Sequence, residues 1–176
     1  CIRDRRNLLA GMVDSGAIHG PKAAAWKLAR SNQKKVAELV QQAEEGDALA
    51  MRRLGFSYRD GTRGLRVDAA KAVEYFQAAA ALRDAPSNTA GGSAYMNGVG
   101  VAKNVTRGAT FMAIGATLGS EHACAILGWA SECGEYFFDV DLEEAKSWYK
   151  KMETAEFKDS VVQCRERAHK FLEENP

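Results

Sequence analysis

The sequence is poor in proline, with three residues in 176. It has no stretch in which Val, Ile or Thr alternates over strand length, which argues against a β-sheet protein. It has no run of 18 apolar residues, so no segment reads as a membrane-spanning helix. It contains no His-Glu-x-x-His, no Gly-x-x-x-x-Gly-Lys-Ser/Thr, no Gly-x-Ser-x-Gly and no Cys-x-x-Cys, so the usual metal-hydrolase, phosphate-loop, serine-hydrolase and dithiol chemistries lack their motifs. Histidine is scarce, at three residues. Cysteine is limited to Cys1, Cys124, Cys133 and Cys164, at no regular spacing. A disulfide-built repeat protein would place cysteine at the same point of each repeat. Reduced, mostly buried thiols in a reducing compartment, the cytoplasm or an organelle interior, are therefore expected. The chain begins with Cys1 rather than Met, so a fragment or a processed chain is expected, with any targeting signal out of view.

Hydrophobic residues make up 46% and charged residues 27%, enough to bury a core. Alanine is abundant, which favours helices packed through small side chains. The net charge of +1 conceals an asymmetry. Residues 1–35 carry eight Lys/Arg and two Asp, net +6, and residues 36–176 carry sixteen basic and twenty-one acidic side chains, net −5. The basic arm is either a solvated helix or a contact for an acidic partner, a membrane surface or nucleic acid. The body lacks the broad basic face of a nucleic-acid module.

Sliding the chain along itself by 36–37 residues brings five columns into register. They are Gly55/Gly92/Gly128, Gly61/Gly98/Gly134, Ala72/Ala109/Ala145, Tyr75/Met112/Trp148 and Ala79/Ala116/Met152. Each unit reads as helix A, loop, helix B. In the first, Ala50, Leu54 and Tyr58 form an apolar stripe at i, i+4 and i+8. Gly61 ends that helix in a left-handed conformation. After a loop over 62–67, Asp68 caps a helix that runs to about Leu82, with Ala72, Tyr75, Phe76 and Ala79 facing inward. In the second unit the loop spans 97–104 and Asn104 is the cap. In the third it spans 134–140 and Asp141 caps a helix to about Met152. Val36, Leu39, Ala43 and Gly46 fit a preceding half-repeat. Residues 159–172 form an amphipathic capping helix. At the N-terminus a short helix is expected over about residues 3–13. A Gly/Ser loop through an exposed His19 follows, and Pro21 then starts a helix through Arg30.

Ala48/Ala50, Leu54-Gly55, Tyr58, Gly61, Asp68, Ala72, Tyr75 and Ala78-Ala79 in the first unit resemble the Sel1-like repeat family. So do Gly98-Val99-Gly100-Val101 with Asn104 and Ala109 in the second, and Ala123, Leu127-Gly128, Ala145 and Trp148-Tyr149 in the third. The resemblance covers roughly residues 36–156. Tetratricopeptide repeats, the near neighbour, have a 34-residue period and a shorter turn. Three positions depart from the pattern. Gly91 stands in place of Leu, which predicts a loose helix A. Ser131 stands in place of Tyr. Leu82 stands in place of Gly, which predicts an irregular turn over 83–86. The resemblance implies an all-α fold, an α/α right-handed superhelix or solenoid of helix-loop-helix repeats. The expected organisation is a basic helical segment over 1–35, a repeat array over 36–156 and a capping helix over 157–176.

The resemblance also implies adaptor work: a non-catalytic scaffold with a protein or peptide partner, no nucleic acid and no cofactor. The alternatives are a structural or assembly subunit of a larger complex and, as a minor one, a small-molecule-binding or hydrolytic repeat protein. Gly98-x-Gly100 follows a helix rather than a strand and reads as a repeat loop, not a dinucleotide fingerprint. His122, Cys124 and Cys133 would need a fourth ligand, Cys164 or His169, to hold zinc, and packing explains them better. A Cys124–Cys133 bridge would have to span well over 10 Å of helix. Glu143-Glu144 with Asp139 and Asp141 suit a helix start.

In stacked hairpins the A helices line the concave surface. Rotating by 100° per residue from the buried stripe gives Arg52/Thr89/Ala125, Phe56/Ser93/Trp129 and Arg59/Met96/Glu132 as repeat-equivalent outward triads. Aromatic residues, Met and Arg are enriched in binding hot spots. The candidate partner face is therefore Arg52, Phe56, Arg59, Ser93, Met96, Trp129 and Glu132. The competing reading has Phe56 and Trp129 covered by the N-terminal segment or by neighbouring repeats.

Overall fold

The computed structural model describes residues 11–16, 20–136, 138–154 and 162–175. Most of the expected N-terminal helix, His19 and the junction at 155–161 lie outside them. Eight helices are built from the described residues: α1 Pro21–Glu44, α2 Ala48–Asp60, α3 Ala69–Ala81, α4 Ala85–Asn97, α5 Val105–Thr117, α6 Glu121–Cys133, α7 Leu142–Glu153 and α8 Val162–Glu174. Residues 11–14 are also helical. The described residues contain no strand, and none of their helices is long and apolar enough to cross a membrane. The pairs α2/α3, α4/α5 and α6/α7 are three successive hairpins, each stacked on the next, so the chain is an all-α solenoid.

Local chemistry sets the boundaries. The A helices α2, α4 and α6 start on Asp47, Asp84 and Ser120, whose side chains accept hydrogen bonds from amides of the first turn. They end on Gly61, Gly98 and Gly134 at φ of 64°, 72° and 68°, a left-handed conformation that a Cβ disfavours. The B helices start on Asp68, Asn104 and Asp141 in the same capping role. At the entry, nothing between Arg30 and Val36 breaks a helix, so α1 is one continuous 24-residue element rather than two. Its Leu39 and Ala43 pack with Ala50 and Leu54 of α2.

The B-helix register differs from the one read by sliding. The amide of each B-helix cap donates to the same A-helix carbonyl: Asp68 to Tyr58 (2.9 Å), Asn104 to Tyr95 (2.8 Å) and Asp141 to Ser131 (2.9 Å). The middle loop is thus one residue shorter, and every B-helix column of the second repeat moves back by one. The equivalent positions are Ala72/Gly108/Ala145, Tyr75/Phe111/Trp148, Phe76/Met112/Tyr149 and Ala79/Gly115/Met152. All are buried except the Tyr75/Phe111/Trp148 set, which is half-buried. Tyr58 is also half-buried and stacks on Tyr75 at 5.7 Å between ring centroids; Tyr95 stacks on Phe111 at the same distance.

Gly91 does not loosen α4, which runs its full length. Phe76 and Phe111 approach to 3.9 Å of the space a side chain would occupy there. Nine of the thirteen residues of α4 are buried, and its open side is reduced to the narrow strip of Pro86, Ala90, Ser93 and Asn97. Its neighbours come close because its side chains are small.

The turn at 82–84 is tight, and Arg83 rather than Leu82 occupies the glycine position. Arg83 has φ 63°, where the equivalent junctions have Gly46 (φ 92°) and Gly119 (φ 88°). A left-handed arginine costs about 1 kcal/mol. Arg83→Gly is therefore expected to raise the melting temperature by about 2–4 °C. A thermal melt followed by circular dichroism checks this, and a fall would show that the turn carries no strain.

Candidate functional site

The seven residues of the expected partner face do not form one surface. Phe56, Ser93 and Trp129, equivalent positions on α2, α4 and α6, are all half-exposed. Met96 does not join them. It is 1% exposed, and its Cγ lies 2.3 Å from where a Cβ on Gly108 would stand, so the missing side chain of α5 admits it to the core. Thr89 and Ala125 are buried too. The Thr89 hydroxyl is hydrogen-bonded to the Ala85 carbonyl and the Ser120 hydroxyl. Arg52 is partly buried and pairs with Asp84 at 2.9 Å, bridging the first and second repeats.

The remaining residues divide between two clefts. The first, about 430 Å³, lies between α2, α3 and α4. Phe56 and Phe76 meet edge to face at 5.0 Å on one side; Pro86, Ala90 and Ser93 form the other. Arg59 stands at its edge with its guanidinium 4.6 Å from the Phe56 ring centre. Asp60 holds that guanidinium through Nε at 2.7 Å and Nη2 at 3.0 Å. The hydrogen bond from Arg59 keeps the Asp60 carboxyl below the ordinary carboxylate range. Val73, Val99 and His122 also line this cleft. Val73 and Val99 could not be read from the A-helix pattern because they come from α3 and the middle loop, and His122 stands at the start of the A helix of the next repeat.

The second cleft, about 770 Å³, lies between α6 and α8 and contains Trp129 and Glu132. Trp129 meets Tyr136 edge-on at 6.0 Å. Glu132 accepts from the Tyr149 hydroxyl at 2.7 Å and from Arg167 Nε and Nη2 at 3.0 and 2.8 Å. Burial pushes the Glu132 carboxyl up, but the hydrogen bonds from Arg167 and Tyr149 outweigh it and leave it below its ordinary value. Burial, and then the bond to Glu132, holds the Tyr149 phenol well above its ordinary value. A second two-pronged pair joins α8 to α6: Arg165 grips Glu121, whose side chain is 1% exposed, through Nε and, at 2.9 Å, Nη2. These pairs span 44 and 35 residues and follow no repeat column, so sequence periodicity could not reveal them.

Of the cysteines, Cys124 is buried, Cys133 is exposed beside Arg167 Nη2 at 3.2 Å, and Cys164 is intermediate; all three are free thiols. The expectation of mostly buried cysteines therefore holds for Cys124 alone among them. Among the described residues no group of His, Cys, Asp and Glu is placed to hold a metal ion.

Comparison with known proteins fits this architecture. The profile of the Sel1 repeat matches residues 48–84, 89–120 and 121–153, more than half of the chain. A Sel1 repeat protein from Oxalobacter formigenes superimposes with a TM-score of 0.67 at 24% identity, over 92% of this chain and 75% of that one. A protective antigen of uropathogenic Escherichia coli, c5321, with an SLR fold, gives a TM-score of 0.62 at 25% identity, over 80% of this chain but only 33% of the antigen. Helicobacter pylori cysteine rich protein B gives 0.51 at 32% identity, over 54% of this chain and 71% of that one. No curated protein matches the sequence. The hairpins, their caps and the three matched segments agree, and the chain belongs to the Sel1 repeat family, whose members are generally non-catalytic protein-interaction modules.

Proposed function

We propose that the chain is a non-catalytic scaffold that holds a partner protein or peptide along the face formed by α2, α4 and α6. The observation that carries this reading is the row Phe56, Ser93, Trp129: one position in three successive repeats, each time left half-exposed beside a cleft. Direct contact between α4 and α6 supports placing the A helices on the inner side of the curve. An aromatic ring at each end of the row supplies the kind of anchor that dominates binding energy. The charged groups of the face are tied to one another, Arg59 to Asp60 and Glu132 to Arg167 and Tyr149, which suits recognition better than proton transfer.

The test is affinity capture from source-cell lysate with mass spectrometry, comparing the native chain with a Phe56→Ala/Trp129→Ala double variant. A specific partner held by the native chain is expected to fall at least tenfold with the variant, while the helical signal of the two proteins stays the same. Retention of the same partner by both would move the binding site elsewhere on the molecule.

A further inference from the structure

The cleft at Phe56 exists because of an accident of side-chain size. Along the outer rows of the A helices the first repeat has Leu49, Arg53 and Phe56, and the third has His122, Ile126 and Trp129. At the same points the second repeat has Pro86, Ala90 and Ser93. Small residues between two bulky sets leave a notch of about 430 Å³, within the ~300–1,000 Å³ range of clefts that take ligands. Its floor is apolar, with Val73 and Phe76 of α3 behind Phe56.

Arg59 is the one lysine, arginine, aspartate or glutamate among the residues lining this notch. Two things orient it: the two-pronged bond that it donates to Asp60, which does not line the notch, and the Phe56 ring beneath it. Those contacts use Nε and Nη2. Among the described residues Nη1 donates to no protein atom, so a held guanidinium keeps two N–H groups at the mouth of an apolar slot. A pre-positioned guanidinium edge favours a carboxylate, and charge-assisted bonds of this kind are about twice as strong as neutral ones.

We propose that this notch binds an internal segment of a partner protein in which a bulky apolar side chain stands next to an aspartate or glutamate. The apolar side chain fills the space over Ala90 and Ser93, and the neighbouring carboxylate meets Arg59 Nη1. The proposal deepens the scaffold reading and rests on it.

The test uses fluorescein-labelled synthetic peptides, acetylated and amidated, of sequence Ser-Gly-Glu-Phe-Glu-Gly-Ser, with Gln in place of both Glu or Ala in place of Phe as controls. Binding to the full chain is read by fluorescence anisotropy up to 1 mM protein. The Glu-Phe-Glu peptide is expected to bind saturably and each control at least tenfold more weakly. Arg59→Gln, a substitution at an exposed position, should remove the preference for Glu over Gln. Ser93→Trp, which fills the notch, should abolish binding; circular dichroism verifies that both variants remain folded. Equal binding of the Gln peptide, or binding that survives Ser93→Trp, overturns the proposal. So does the absence of binding by any peptide. In that last case the capture experiment separates the two failures: partner loss with Phe56→Ala/Trp129→Ala keeps the scaffold face and discards this chemistry, whereas retention of the partner removes this face as the binding site.

Discussion

Valine in place of Gly108 is expected to lower the stability of the chain by about 3 kcal/mol, a fall in melting temperature of about 6–12 °C. Helices α4 and α5 cross through Gly92 and Gly108. A Cβ on Gly108 would stand 2.8 Å from the Gly92 carbonyl oxygen, 2.9 Å from the Met96 amide nitrogen and 2.3 Å from Met96 Cγ. A Cβ on Gly92 would stand 2.9 Å from the Gly108 carbonyl oxygen. Two of the three obstacles at Gly108 are backbone, so no rotamer change relieves them and the helices must separate. Met96, 1% exposed, has nowhere to go. Gly108→Ala is the sharper version. In a free helix that change stabilises by about 1 kcal/mol. Here it is expected to destabilise, and a stabilising result in a thermal or denaturant melt would show that the helices are not in contact at this point.

Removing the Tyr149 side chain is the second large effect expected. Tyr149 is 1% exposed, its Cε1 lies 2.6 Å from where a Cβ on Gly128 would stand, and its ring lies 5.1 Å from that of Phe171. It therefore fills the space between the third hairpin and α8. Tyr149→Ala should cost about 3–5 kcal/mol. Its hydroxyl is one of the donors to Glu132, so Tyr149→Phe, which keeps the ring, should cost only about 1 kcal/mol. The pair is read by denaturant melts followed at once by helical circular dichroism and by tryptophan fluorescence, since Trp129 lines the adjoining cleft. A cost below 1 kcal/mol for the alanine variant would mean that α8 does not depend on this ring.

What the sequence reveals and what it hides divide along one physical line. Features held by the local backbone are legible. Asp68, Asn104 and Asp141 cap helices because a side chain three residues from an open amide finds it. Gly61, Gly98 and Gly134 end helices because they lack a Cβ. Features that depend on the neighbour across the interface are not legible. Met96 occupies an outward position of α4 by helical geometry, yet it is buried because the facing residue is Gly108. The one-residue deletion in the middle loop leaves the A-helix columns intact and shifts the B-helix columns, so a single sliding period aligned Ala109 where Gly108 belongs. Arg83 could not be told from Leu82 as the left-handed residue because neither is glycine. Phe56, Ser93 and Trp129 share one repeat position, but their division between two clefts follows from Pro86, Ala90 and Ser93 being small together with α8 crossing near Trp129.

Helix α4, covered on nearly every side, has a bearing on how the molecule comes apart. In a linear array each hairpin leans only on its neighbours, so an end hairpin can open while the rest persists. The middle hairpin cannot open without first losing one of its flanks. Protection of backbone amides against exchange with solvent is thus set to rise from both ends toward α4, with its amides the slowest. The notch built on Pro86, Ala90 and Ser93 consequently sits on the part of the molecule that is last to fluctuate, and a partner held there meets a rigid surface while the outer repeats remain free to breathe.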